Sequence, residues 1–145
     1  MAIMNVVPLK STAAGPFQPV TALRGLAAFA IVGVGISGVA AVTGWGLPCP
    51  WRALTGTLCP LCGATHVGMA LLRGDLAAAW AANPFVLAGL AVLVGLGVIW
   101  TIEALGGPAV RATRGVRLDG RGVWVTIGLL AFAFTLWRNL AGAAG

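Results

Sequence analysis

The sequence predicts an all-α integral membrane protein: three transmembrane helices, with short interfacial or re-entrant helices between the first and second. Three observations predict it. The composition, 59% hydrophobic residues against 8% charged and a mean hydropathy of +0.98, cannot cover a water-facing surface, so a bilayer must supply part of the solvent. Three apolar stretches are each close to the roughly 20 residues that cross the hydrocarbon. Finally, 145 residues hold those spans and their connections, with no room for a separate soluble domain. The expected organisation is a flexible arm at residues 1–22 and one membrane domain at 23–145.

The arm holds Lys10, Pro8, Pro16 and Pro19 among small polar residues and shows no apolar period. Leu23 to Val42 follows with Arg24 as its only charge and is read as the first span, about 30 Å long as a helix. Its charged start and Val39-Ala40-Ala41 also fit a secretory signal, although the preceding arm is long for one. The second span opens at Asn83-Pro84, where Asn can cap and Pro loses no hydrogen bond, and runs over 84–104 to the stop at Gly106-Gly107-Pro108. The third covers 123–140, with Arg138-Asn139 near its end expected to reach the interface.

Between the first two spans, residues 43–82 are too apolar to hang in water. Ala64 to Leu72 is expected to make about two helical turns closed by Gly74, and Asp75 to cap a second short helix from Leu76 to Ala82. Both are too short to cross and should form a lid over the span ends. The tripeptide Arg73-Gly74-Asp75 is read as a turn, not an adhesion signal, because capping explains all three residues.

Arg111, Arg114, Arg117 and Arg121 crowd the 106–122 loop, whereas 43–82 carries Arg52 and Arg73. The Arg-rich loop should therefore be cytoplasmic, with the N-terminus on the same side and the 43–82 loop extracytoplasmic. The tryptophans agree, Trp45, Trp51, Trp80 and Trp137 falling near the outer interface and Trp100 and Trp124 near the inner one. The net charge of +6 is scattered and lacks a base-stacking module, which argues against nucleic acid. Gly33, Gly35, Ser37 and Gly38 in the first span, and Ala91, Gly95 and Gly97 in the second, offer close helix approach within a bundle, to other membrane subunits or to a second copy.

The chemistry-bearing string is Cys49-Pro50, then Cys59-Pro60-Leu61-Cys62-Gly63, then His66. A C-P-x-C-G turn has the shape of a metal knuckle: Pro stiffens its first half, Gly permits the tight second half, and backbone N–H groups can face thiolate sulfur. A helix beginning near Gly63 would put Cys62 at its positive end and His66 on the same face. Cys49, Cys59, Cys62 and His66 are therefore a candidate tetrahedral set for Zn2+. Three alternatives stand beside it. In an oxidising compartment Cys49 can pair with Cys59 or Cys62; the C-P-L-C pair can exchange disulfides, with Cys59 exposed or Cys62 activated; or the thiols only pack.

Cys49-Pro50, Leu54-Thr55-Gly56, C-P-L-C-G-A-T-H, A-L-L-R-G-D-L-A-A-A-W and Asn83-Pro84 together resemble the bacterial membrane-protein family filed as domain of unknown function 2752. The resemblance covers about residues 48–95 and implies a bacterial inner-membrane location and an unassigned activity. His66 stands where that family more often has Arg, so the resemblance carries over the three cysteines and not the histidine.

No ionisable residue lies at mid-span, Glu103 being near the inner end with Arg111 or Arg114 in reach, which argues against an ion pathway. There is no Ser/His/Asp set, phosphate loop or paired carboxylate, so the inventory leans away from an enzyme. Two functional classes are left. One is an accessory or interaction subunit of a membrane complex with a zinc-like knuckle; the other is a thiol-disulfide redox factor acting at the outer face.

Overall fold

The computed structural model describes residues 18–44, 46, 48–108 and 120–143; the expected arm up to residue 17, Trp45, and Arg111, Arg114 and Arg117 lie outside them. Among the described residues there are six helices and no strand. Three are long and apolar enough to cross a membrane: α1 (Pro19–Thr43), α5 (Pro84–Ala104) and α6 (Arg121–Ala143). Between α1 and α5 come α2 (Pro50–Thr55), α3 (Ala64–Leu72) and α4 (Leu76–Ala82).

Each helix end has a local cause. Proline opens α1, α2 and α5, because its fixed φ suits a first turn whose N–H needs no partner. That is why α1 starts four residues before the expected Leu23, and it also explains α2, a helix the sequence reading did not anticipate. Asp75 accepts from the Ala78 N–H at 2.8 Å, and Asn83 from the Val86 N–H at 3.0 Å, as their cap positions require. Gly74 (φ +72) and Gly106 (φ +91) take the left-handed conformation expected of a C-terminal stop. At its ends α6 reaches two residues earlier and three later than the expected 123–140.

The helices α3 and α4 form a hairpin that packs on the C-terminal half of α1 and on the start of α5. A Cβ on Gly68 would collide with the Ser37 side chain, so α3 lies beside α1 at the depth of Ser37 and re-enters the bundle rather than resting on top of it. The buried core is small and sits at this junction: Val67, Ala70 and Ala79, with Leu71, Val86, Leu87 and Leu90 packed around them. Elsewhere the spans present apolar side chains outward, Ile31 at 72% and Leu129 at 64% exposure, as lipid-facing surfaces do.

The glycine seam differs from expectation. Gly97 meets Leu26 closely and Gly68 meets Ser37, but a Cβ on Gly33, Gly35, Gly38 or Gly95 would have no atom within 4 Å. Gly33 instead borders an apolar cavity of about 680 Å³ between α1, α3 and α5. The close approach within the chain is thus made at the lid and at one α1–α5 crossing, because α3 holds the upper parts of α1 and α5 apart.

Candidate metal centre

Cys49 occupies the cap position of α2, directly before Pro50. Cys59 and Cys62 lie in the turn that leads into α3, closed by the Cys62 N–H donating to the Cys59 carbonyl at 3.1 Å and by Gly63 at φ +92. Only glycine fits at Gly63 for two reasons. Its φ is left-handed, and a Cβ would stand 3.1 Å from the Ala82 carbonyl oxygen. The start of α2 and the turn after it therefore bring the three sulfurs together.

Cys49 Sγ and Cys62 Sγ each lie 3.3 Å from Cys59 Sγ, and all three sulfurs fall within 4.8 Å of one another. Those separations are well beyond a disulfide bond of about 2.05 Å. They approach the roughly 3.8 Å between thiolates placed tetrahedrally 2.3 Å from zinc. The Cys59 N–H donates to Cys62 Sγ at 3.2 Å, the N–H-to-sulfur contact that a knuckle turn provides.

The electrostatics reverse the expected roles of the thiols. Burial is the main cause that pushes the Cys62 thiol up, to about 11, followed by the neighbouring Cys49 and Cys59 thiols. Cys49 is lowered to about 7, first by the Arg52 N–H in the opening turn of α2 and then by the neighbouring Cys62 and Cys59 thiols. No closed side-chain cap bond forms at Cys49, so the Arg52 N–H acts by facing the sulfur at the helix start rather than through an ideal cap. The activated thiol is thus Cys49, through a helix hidden from the sequence reading, and not Cys62.

His66 is not part of the sulfur group. It lies exposed on α3 with its ring toward Gly46, whose Cβ would be 3.8 Å from His66 Cε1. The structure unites three of the four expected ligands and leaves the fourth beside them.

Three polar residues hold the knuckle, and their roles went beyond what the sequence suggested. Asn83 is fully buried; besides capping α5, it donates from Nδ2 to the Pro60 and Cys62 carbonyls, both at 2.9 Å. Arg138 donates from Nη1 to the Cys62 carbonyl at 2.8 Å and from Nη2 to the Ala82 carbonyl at 2.9 Å. Asn139 pairs with both backbone groups of Leu58, accepting from its N–H and donating to its carbonyl at 2.8 Å each. Arg138 and Asn139 were expected at the interface; they turn inward because the knuckle offers unpaired carbonyls there. An Arg-Asn pair ending an otherwise apolar span was the available signal.

Residues 49–97 match the family described as Protein of unknown function (DUF2752). This bears out the resemblance read from the motifs, and the DUF2752 segment begins at Cys49 itself, taking in all three cysteines, the α3–α4 hairpin and the first part of α5. Arg138 and Asn139 lie outside it. No curated protein and no solved structure matches the chain.

Proposed function

We propose that this protein is an accessory or interaction subunit of a membrane complex whose outer-face knuckle binds a zinc-like divalent metal through Cys49, Cys59 and Cys62. The observation that carries the reading is the convergence of three sulfurs at 3.3 Å spacing on a turn with a backbone N–H already directed at one of them. The remaining donors in the chain are few: His66, Asp75, Glu103 and Asp119. Asp75 is engaged as a cap, Glu103 lies at the other end of α5, and Asp119 falls between α5 and α6 in sequence. The fourth position is therefore left to His66 after a side-chain rotation, to water or to a donor from outside. Orientation rests on the Arg count, which puts the knuckle on the extracytoplasmic side of a bacterial inner membrane.

A second reading has its own observation, the lowered Cys49 thiol 3.3 Å from Cys59. Cys49 thiolate would attack a partner's disulfide, and Cys59 would then displace the mixed disulfide. The pair becomes oxidised as the partner gains two electrons and leaves as a dithiol.

Metal analysis with a thiol count on protein in mild detergent separates the two. The metal reading expects about one metal per chain and three thiols exposed by chelator alone. Thiols exposed only by reductant, with no stoichiometric metal, would overturn it in favour of the redox reading.

A further inference from the structure

We propose that Arg138 and Asn139 of the third span are positioning residues of the three-cysteine centre, an inference that rests on the metal reading above. Apart from the two bonds from Asn83, the loop carrying the sulfurs has little to hold it, since α2 buries no residue and the knuckle turn contributes only Cys62 to the buried set. Asn139 grips Leu58, immediately before Cys59, through both of its backbone groups, and Arg138 grips the carbonyl of Cys62 itself. The two residues bracket the segment that presents two of the three sulfurs.

Both side chains are fixed from behind. Asn139 Nδ2 also donates to the Thr135 carbonyl of its own helix at 2.8 Å, and the Arg138 guanidinium lies 5.9 Å from the Phe134 ring centroid. The second arm of Arg138 ends on Ala82, in the last turn of α4, where a cation suits the negative helix end. The clamp thus ties the knuckle to the lid and to α6 at once.

Arg138 and Asn139 can be separated from the fold, whereas Asn83 cannot. Asn83 is buried and caps α5, so its loss disturbs the bundle directly. By contrast α6 forms no close-packed seam with any other helix, and besides the clamp a Phe85–Phe134 stack at 5.4 Å joins it to α5. Arg138 and Asn139 therefore hold α6 through the knuckle and the end of α4 rather than through a packed helix face.

The test uses the full chain in mild detergent and Co2+ alone as probe, because its absorption reports both affinity and ligand geometry. Arg138→Ala and Asn139→Ala are expected to weaken Co2+ binding by about 10- to 100-fold, the usual effect of residues that orient metal ligands, and to alter the sulfur-to-cobalt bands. Asn139→Asp keeps the acceptor for the Leu58 N–H but sets a carboxylate oxygen against the Leu58 and Thr135 carbonyls, so it should weaken Co2+ binding no less than Ala. Helical content should stay at the wild-type value, and the metal-free thermal midpoint should fall less than in Asn83→Ala. Equal affinity and equal spectra in wild type and both alanine variants would overturn the inference, as would loss of metal-free stability in step with metal. Wild-type protein that binds no Co2+ would instead sink the metal reading beneath it.

Discussion

Asn83 shows how much one side chain can hold: its carbonyl oxygen accepts from the Val86 N–H while its amide nitrogen serves two knuckle carbonyls. Replacing it with Ala leaves the part-buried Val86 N–H and Pro60 carbonyl without these partners, at a cost of roughly 1–3 kcal/mol per group. Asn83→Asp keeps the cap but sets a carboxylate against two carbonyls. Both variants should lower the thermal midpoint in detergent, Asp no less than Ala, and a neutral Asp variant would show the donor half to be idle. The cysteines make a second prediction. Metal binding must displace the proton that burial holds on Cys62 up to about 11, so binding releases protons and affinity rises with pH. Chelator competition at about pH 8 and about pH 6 should find weaker retention at the lower value. In metal-free protein near neutral pH, an alkylating reagent should modify Cys49 first, because its thiol is lowered to about 7, and Cys62 last. Mass spectrometry of partly labelled protein decides the order.

At the scale of elements, the α3–α4 hairpin joins the knuckle to the spans. Its closest approach to α1 is Gly68 against Ser37, so Gly68→Leu must part the two helices and should cost about 1–3 kcal/mol or more, as overpacking does. Gly33→Leu on the same α1 projects into the apolar cavity and should leave stability unchanged or raised. A lower melting point for Gly33→Leu than for Gly68→Leu would contradict this placement of α3. The helix α2 carries a different lesson. It has six residues and no buried side chain, yet it sets the state of Cys49, and its Pro50 opening and Gly56 closure repeat the punctuation of the longer helices. Those two residues were legible in the sequence as helix boundaries, but a one-and-a-half-turn helix has too short an apolar period to be read.

For the whole molecule, the knuckle, the ends of α1 and α6 and the start of α5 gather at one end, and the end of α5 and the start of α6 lie at the other. If the Arg-rich segment is cytoplasmic, a membrane-impermeant thiol reagent applied to intact cells should label Cys49, Cys59 and Cys62 after chelation. Labelling that needs permeabilised cells would reverse the orientation and place the thiols in the reducing cytoplasm. Among the described residues, Gly35, Gly38 and Gly95 have nothing against the place of a Cβ, and most of the α6 side chains are exposed. These are the surfaces left for another subunit or a second copy, and crosslinking between cysteines placed there reads which one is used.

The sequence by itself determined the spans, their approximate ends, the re-entrant or interfacial hairpin, its caps at Asp75 and Asn83, and the three cysteines as a group able to hold a metal ion. It could do so because hydrocarbon length, proline and glycine geometry and helix capping are local rules that act within a turn or across one span. Tertiary structure alone decided which donors meet. His66 lies on the helix that directly follows the knuckle and yet outside the sulfur group, while Arg138 and Asn139, more than seventy residues from the cysteine turn, bond to its backbone. It also decided which thiol ionises first, since the state of Cys49 and Cys62 depends on an unforeseen helix start and on burial by distant elements. Spacing along a chain fixes what a residue can reach within a turn or two; which carbonyl stands unpaired beside the end of another span is fixed only when the spans come together.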